Sequence, residues 1–268
     1  AGYLQDVWVT IDVGHSWQLV TSAAPWPPRG YFEMVGVDGA LILAGGQGVS
    51  GNSTSLFNDV WTSRDGFTWL TLTPAAQWSK RFGFGMTRDQ SQITGQSLIF
   101  VAGGISCRAG CTAYDLSAPG CALVADVSIG TPQCCTSTSA CAEMYSVNDV
   151  YSSSDDGSTW TVVTSSAAFS VRSFLGLVTV ESGLLVFGGY AGSGAFFNDL
   201  WLSEDAGLTW REIAATGAGP GTRSAGRLVP LRSGDSCLQI AGWQRGYLQG
   251  GASGAVLYHS DAWVVPEI

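Results

Sequence analysis

Apolar runs recur along the chain, and three of them stop at paired glycines: Leu41 to Gly46, Leu98 to Gly104 and Leu184 to Gly189. A fourth, Cys237 to Trp243, carries Trp243 where the second glycine stands in the others. Upstream of each run, an arginine opens a mixed apolar stretch: Arg29, Arg81, Arg172 and Arg223. Downstream comes an Asn-Asp-Val-Trp-like segment at Asn58–Trp61, Asn148–Tyr151, Asn198–Trp201 and Ser260–Trp263, with a further copy at Asp6–Trp8. An Asp-plus-Gly turn ending in Trp follows the first four of these five segments: Asp12 to Trp17, Asp65 to Trp69, Asp155 to Trp160 and Asp205 to Trp210. Short apolar segments punctuated in this way read as strands, and the Asp-Gly turns read as hairpins.

The repeat length decides the architecture. Asp6 to Asp59 is 53 residues, Asp149 to Asp199 is 50 and Asp199 to Asp261 is 62, while Asp59 to Asp149 is 90 and carries an insertion, bounded here as 105–147. A period near 50 with four strand signals suits a propeller blade, because one small twisted sheet cannot bury both faces and must stack on its neighbours. The expectation is one all-β domain over 1–268, a β-propeller with four recognisable repeats and one surplus terminal strand. The segments 6–10 and 261–265 then compete for the same place, and the expected solution is an N-terminal half-blade with strand exchange between the termini. Blade number stays open between a closed ring, a piece of a larger propeller and an open end that pairs with a neighbour.

The glycine pairs, the Asn-Asp-Val-Trp strand and the spaced Trp resemble kelch repeats of the galactose-oxidase-like propellers over nearly the whole chain. The turns Ser153 to Trp160 and Ser203 to Trp210 are similar to the Asp-box of sialidases, and residues 63–69 form a copy one residue shorter. The resemblance implies a fold, with the box as a folding element on the hairpin between a blade's third and fourth strands.

Composition narrows the setting. Twenty-one acidic residues against 12 basic ones give a net charge of −9, which disfavours a phosphate-binding surface. No nucleic-acid partner and no membrane span are expected, since no apolar run reaches the length that crosses a bilayer. With neither an initiator Met nor a basic-then-apolar leader at its start, the sequence reads as mature or excised. Cys107, Cys111, Cys121, Cys134, Cys135 and Cys141 all fall in the insertion, where a Gly, Ser and Thr-rich loop offers little core. Up to three disulfides are expected there, with pairing open among 15 possibilities. Zinc is disfavoured, because the region lacks His and the paired Cys-x-x-Cys spacing. Cys237 reads as a buried strand thiol. Asn52-Ser53-Thr54 is an acceptor for N-glycosylation, and with the cysteines it points to a secreted or cell-surface protein.

Candidate chemistry is sparse. The hairpin residues Asp65, Asp155 and Asp205 are expected to accept backbone N–H bonds within their own turns, while Trp69, Trp160 and Trp210 pack between sheets. The four arginines are expected to form structural ion pairs, with Asp59, Asp149 and Asp199 as partners, rather than a carboxylate-binding cluster. His15 in a hairpin and His259 before the last strand do not supply a copper site or a general base. The expected binding surface lies on loops between blades, where Trp26, Trp78, Tyr190, Trp243 and Tyr247 would stack on a sugar or anchor a protein. Burial of Trp26 and Trp78 between blades is the competing expectation. Glu33, Asp115 and Glu143 are the acidic residues outside the repeat that an enzyme would need. The functional expectation is an extracellular module that binds protein or glycan, or self-assembles, without catalysis and without a cofactor. The alternative is a carbohydrate-active hydrolase or oxidase.

Overall fold

The computed structural model describes residues 2–50, 53–89, 97–107, 133–135, 141–191, 195–214, 222, 224, 227–230, 237–245 and 256–265. Among them every regular element is a strand, and the strands form several small antiparallel sheets, an all-β arrangement of propeller-like kind. The first sheet runs Glu33–Val37, Ala40–Ser50, Ser53–Ser63, Leu70–Thr73, with Arg29–Gly30 also paired to Ala40–Ser50. A second has Gly85–Arg88, Ile99–Ala102, Val150–Ser153 and Thr161–Thr164, and a third has Gly176–Val180, Gly183–Ala191, Ala195–Ser203 and Arg211–Ile213. Arg227–Pro230, Cys237–Arg245 and Val256–Val265 make a three-stranded sheet, while Val7–Val9 pairs only with Gln18–Thr21. The innermost strands of the four larger sheets lie side by side in chain order.

The apolar runs are continuous because both faces of each sheet are covered. In Leu98 to Ala102, Ile99 and Val101 join a cluster with Val37, Ile42 and Val60 of the first sheet. Leu98, Phe100 and Ala102 point the other way, onto Leu175, Leu177, Leu184 and Val186 of the third. A period of two thus serves two cores at once.

At the paired glycines the strand bulges. Gly103 and Gly104 have φ of 66° and 102°, and an added Cβ would lie 2.9 Å from the Arg172 carbonyl at the first and 2.8 Å from the Phe84 Cβ at the second. Left-handed backbone and crowding together exclude a side chain there. Beyond the bulge the ladder resumes: Ile105–Cys107 pairs with both Arg81–Phe82 and Cys141–Ser146. The first and last residues assigned to the insertion are therefore sheet, extending the second blade as Gln47–Ser50 and Ser53–Phe57 extend the first. Gln133–Cys135 adds a strand on Cys141–Ser146, with Cys135 in register with Cys141. Cys111, Cys121 and Asn52 lie outside the described residues.

Two expectations are corrected. His259 lies inside the strand Val256–Val265, opposite Gly242, because that strand too continues past its bulge. Strand exchange between the termini is absent among the described residues: Val256–Val265 is already the third strand of its own sheet, and Val7–Val9 pairs with a fourth-type strand instead.

Candidate functional site

Consecutive antiparallel strands place the hairpins joining first to second and third to fourth strands on one edge of every sheet. The second-to-third hairpins and the crossovers between sheets share the other edge. On that edge the joining segments differ most: 51–52, 108–140, 192–194 and 246–255. The repeat arginines sit just beneath it.

Each described repeat arginine, Arg29, Arg81 and Arg172, is saturated. Arg81 is fully buried; its Nη1 and Nη2 donate to the two carboxylate oxygens of Asp149 at 2.6 and 2.9 Å, and Nη1 also reaches the Gly103 carbonyl at 3.0 Å. Arg29 holds Asp59 and the Gly45 carbonyl in the same way, and Arg172 holds Asp199 and the Gly188 carbonyl. The guanidinium therefore ties the glycine bulge to the Asn-Asp strand through bidentate bonds. Rings cover the faces, with Phe57 4.2 Å from Arg29 and Phe197 4.1 Å from Arg172. Burial works to raise the pKa of Asp199, but the Arg172 bond and charge outweigh it and hold the carboxyl below its usual value. Arg223 lies outside the described residues.

At the opposite edge the Asp turns are closed by their own side chains. Asp155 accepts from the Thr159 N–H and hydroxyl at 2.8 and 2.6 Å, and Ser153 Oγ accepts the Gly157 N–H at 2.8 Å. Trp160 Nε1 donates back to the Gly157 carbonyl, and the ring is buried edge-on to Trp78. Asp205 with Trp210 repeats this geometry, and Asp65 with Trp69 does so one residue shorter. Asp38, Asp65, Asp155 and Asp156 line one groove of about 360 Å³ between the first two sheets, yet no metal-holding group of His, Cys, Asp and Glu exists among the described residues.

The aromatic candidates separate sharply. Trp26 and Trp78 are 4% and 1% exposed, so neither is a loop platform. Trp26 meets Trp69 edge-on at 4.5 Å, and Phe169 takes the corresponding place against Trp210 at 5.1 Å. These residues all stand three before an arginine, an offset that marks them as repeat residues. Tyr190 is half-buried, bridges Ser173 and packs on Phe196. Trp243 falls in the strand Cys237–Arg245, where only the backbone is described, and Tyr247 lies outside the described residues.

A different set meets where three successive sheets join. Two residues after each arginine stand Tyr31, Gly83 and Phe174, all in left-handed backbone with φ of 54°, 60° and 53°. Gly83 donates its N–H to the Tyr31 carbonyl, and Phe174 donates to the Gly83 carbonyl, so the three link successive blades around the centre. Glycine takes this backbone freely, whereas a bulky residue there costs about 1–2 kcal/mol. The missing Cβ of Gly83 leaves space for the Phe174 ring, which would lie 2.9 Å from it. Tyr31, Phe82 and Phe174 form an aromatic triangle with centroids 5.5 to 6.0 Å apart, and Tyr31 is 56% exposed. Further along the same strands lies a channel of about 230 Å³, lined by residues that include Glu33, Met34, Thr87, Arg88 and Thr179 but none of the three rings. Thr87 and Thr179 join their hydroxyls across it at 3.1 Å. Sequence reasoning singled out Glu33 but missed Tyr31 and Phe174. The signal was there: a glycine aligned with two aromatics after the repeat arginine.

No family model and no curated protein matches this chain. Among solved structures it is similar to the structure of YjhT, with 15% identity and a TM-score of 0.66 over 98% of this chain and 75% of that one. At that identity the likeness shows a shared fold.

Proposed function

We propose that this chain is an extracellular interaction module, a kelch-like β-propeller of four repeats plus a surplus terminal strand, that binds glycan or protein without catalysis. The single observation that carries the reading is the saturation of the described repeat arginines and aspartates by one another and by backbone carbonyls. The repeat spends its charge on holding blades, and recognition falls to the edge where the joining segments vary. The six clustered cysteines and the Asn52-Ser53-Thr54 acceptor of the sequence support a secreted setting, with disulfides and a glycan as its expected modifications. The test is a glycan microarray and an affinity capture of extracellular proteins with the native, non-reduced protein. Specific capture on either, lost when the 108–140 segment is replaced by a short turn, supports the module. Turnover of glycosides by the purified protein, without retained binding, would overturn it.

One observation favours a second reading, a carbohydrate-active hydrolase: Glu33 lies in the channel wall rather than in the repeat framework. Glu33→Gln abolishing hydrolysis of an aryl glycoside would establish it.

A further inference from the structure

We infer that the exposed ring of Tyr31 is a stacking site for one neutral pyranose ring, an inference that rests on the glycan-binding side of the proposed function. Three independent features converge there. The first is exposure: the tryptophans packed between the sheets, Trp26, Trp69, Trp78, Trp160 and Trp210, are all under 9% exposed, whereas Tyr31 presents over half its surface. An exposed aromatic face offers the C–H-rich face of a sugar a surface to stack on, and its hydroxyl gives a hydrogen-bonding rim.

The second is strain held at one place. Gly83 shows which residue this backbone position takes without penalty, while Tyr31 and Phe174 keep large rings there. Both rings lean on Phe82, which is buried among Leu56, Met144 and Ile105, so Tyr31 is braced from beneath rather than left mobile. Preorganised aromatic area is what a weak, small ligand needs, because little side-chain freedom is lost on binding.

The third is the charge around it. The described repeat arginines lie with their side chains fully shielded and their carboxylate partners in place, so none of the three is open to an acidic sugar. Arg88, which lines the channel together with Glu33, is held by Asp38 and Ser97, so its charge too is already engaged. The neighbouring channel of about 230 Å³ falls below the range typical of drug-sized ligand pockets, which leaves no room for an extended glycan to continue into it from Tyr31. Together these select neutral hexosides or N-acetylhexosaminides over sialosides and uronides.

The experiment is saturation-transfer NMR on the full, non-reduced chain, using methyl glycosides of glucose, galactose, mannose and N-acetylglucosamine against methyl glucuronide and a methyl sialoside. The informative variant is Tyr31→Gly, which removes the ring while keeping a residue that favours this backbone, and its thermal melt should equal or exceed the parent's. Tyr31→Phe keeps the stacking face and should stay within about threefold of the parent, as expected when apolar contact rather than the hydroxyl dominates. Expected is transfer to one or more neutral glycosides, at least tenfold weaker for Tyr31→Gly. Equal binding by parent and Tyr31→Gly, or preference for the acidic glycosides, would overturn the stacking site while leaving the interaction module standing. Should no glycan bind here or on the microarray, the glycan side of the proposed function falls with the site.

Discussion

Two copies of the same hairpin behave differently in the same molecule. In the N-terminal copy, Asp12 accepts the Ser16 N–H and hydroxyl at 2.9 and 2.7 Å, and Thr10 Oγ1 accepts the Gly14 N–H at 2.8 Å. The internal Asp155 turn has the same bonds from the same positions. Yet Trp17 is 60% exposed, while Trp160 is 3% exposed. The contrast continues one strand away: Asp59 receives both Trp61 and Arg29, whereas Asp6 receives Trp8 and, among the described residues, no arginine. The turn is therefore encoded within its own few residues, and the tryptophan and arginine depend on a neighbouring sheet. Local hydrogen bonds make the hairpin; stacking of blades makes the core.

The comparison is broken hardest at the ion pairs. Asp149→Ala leaves the fully buried Arg81 guanidinium without its carboxylate, and loss of one partner from a buried pair destabilises by about 3–5 kcal/mol. Asp6→Ala removes an exposed indole bond and should stay within about 1 kcal/mol of the parent. Chemical denaturation of the two variants measures both, and equal losses would refute the distinction. Next comes the tryptophan. Trp160→Ala empties space between the first two sheets and should cost about 3–5 kcal/mol, whereas Trp17→Ala should change stability by no more than about 0.5 kcal/mol. A smaller effect follows for quenching: acrylamide should reach Trp17 and leave Trp160 shielded, so Trp17→Phe should remove a disproportionate share of the quenchable emission. Quenching unchanged by that substitution would show that Trp17 is covered in solution.

What could be read from the sequence follows the same division. The boxes and the arginine–aspartate partners were legible, since each of these residues recurs at a fixed offset and the recurrence itself names its role. Trp26 and Trp78 were ranked as binding aromatics although they recur three residues before Arg29 and Arg81, the mark of a repeat residue that packs between sheets. Tyr31 and Phe174 escaped because backbone conformation decides their place: an aromatic after an arginine looks like core until the aligned Gly83 reveals a left-handed position. The pairing of the terminal strands was not legible either. Both segments carry the same third-strand motif, and the motif says which residues face which sheet without saying which partner is at hand.

Acid sharpens the comparison most gently. The Asp12 carboxyl is held down to about 2, chiefly by the Ser16 hydroxyl and then by the Ser16 N–H and Thr10. In Asp155, desolvation pulls upward and the Thr159 and Ser153 bonds overcome it, so its carboxyl is also lowered. A carboxylate whose folded pKa is depressed contributes stability that is fully present above its unfolded value, near 4, and that is lost as pH falls through the folded value. The N-terminal hairpin should therefore hold its turn bonds at pH 4 and surrender them toward pH 2 without loss of the sheet core, while the Asp155 turn should surrender its own only below the usual carboxylate range. Carboxyl chemical shifts followed by NMR between pH 5 and 2 check this. An Asp12 that titrates near 4 while the Asp155 turn stays intact would mean that the N-terminal hairpin needs a neighbouring sheet after all, and the local origin of the turn would fall.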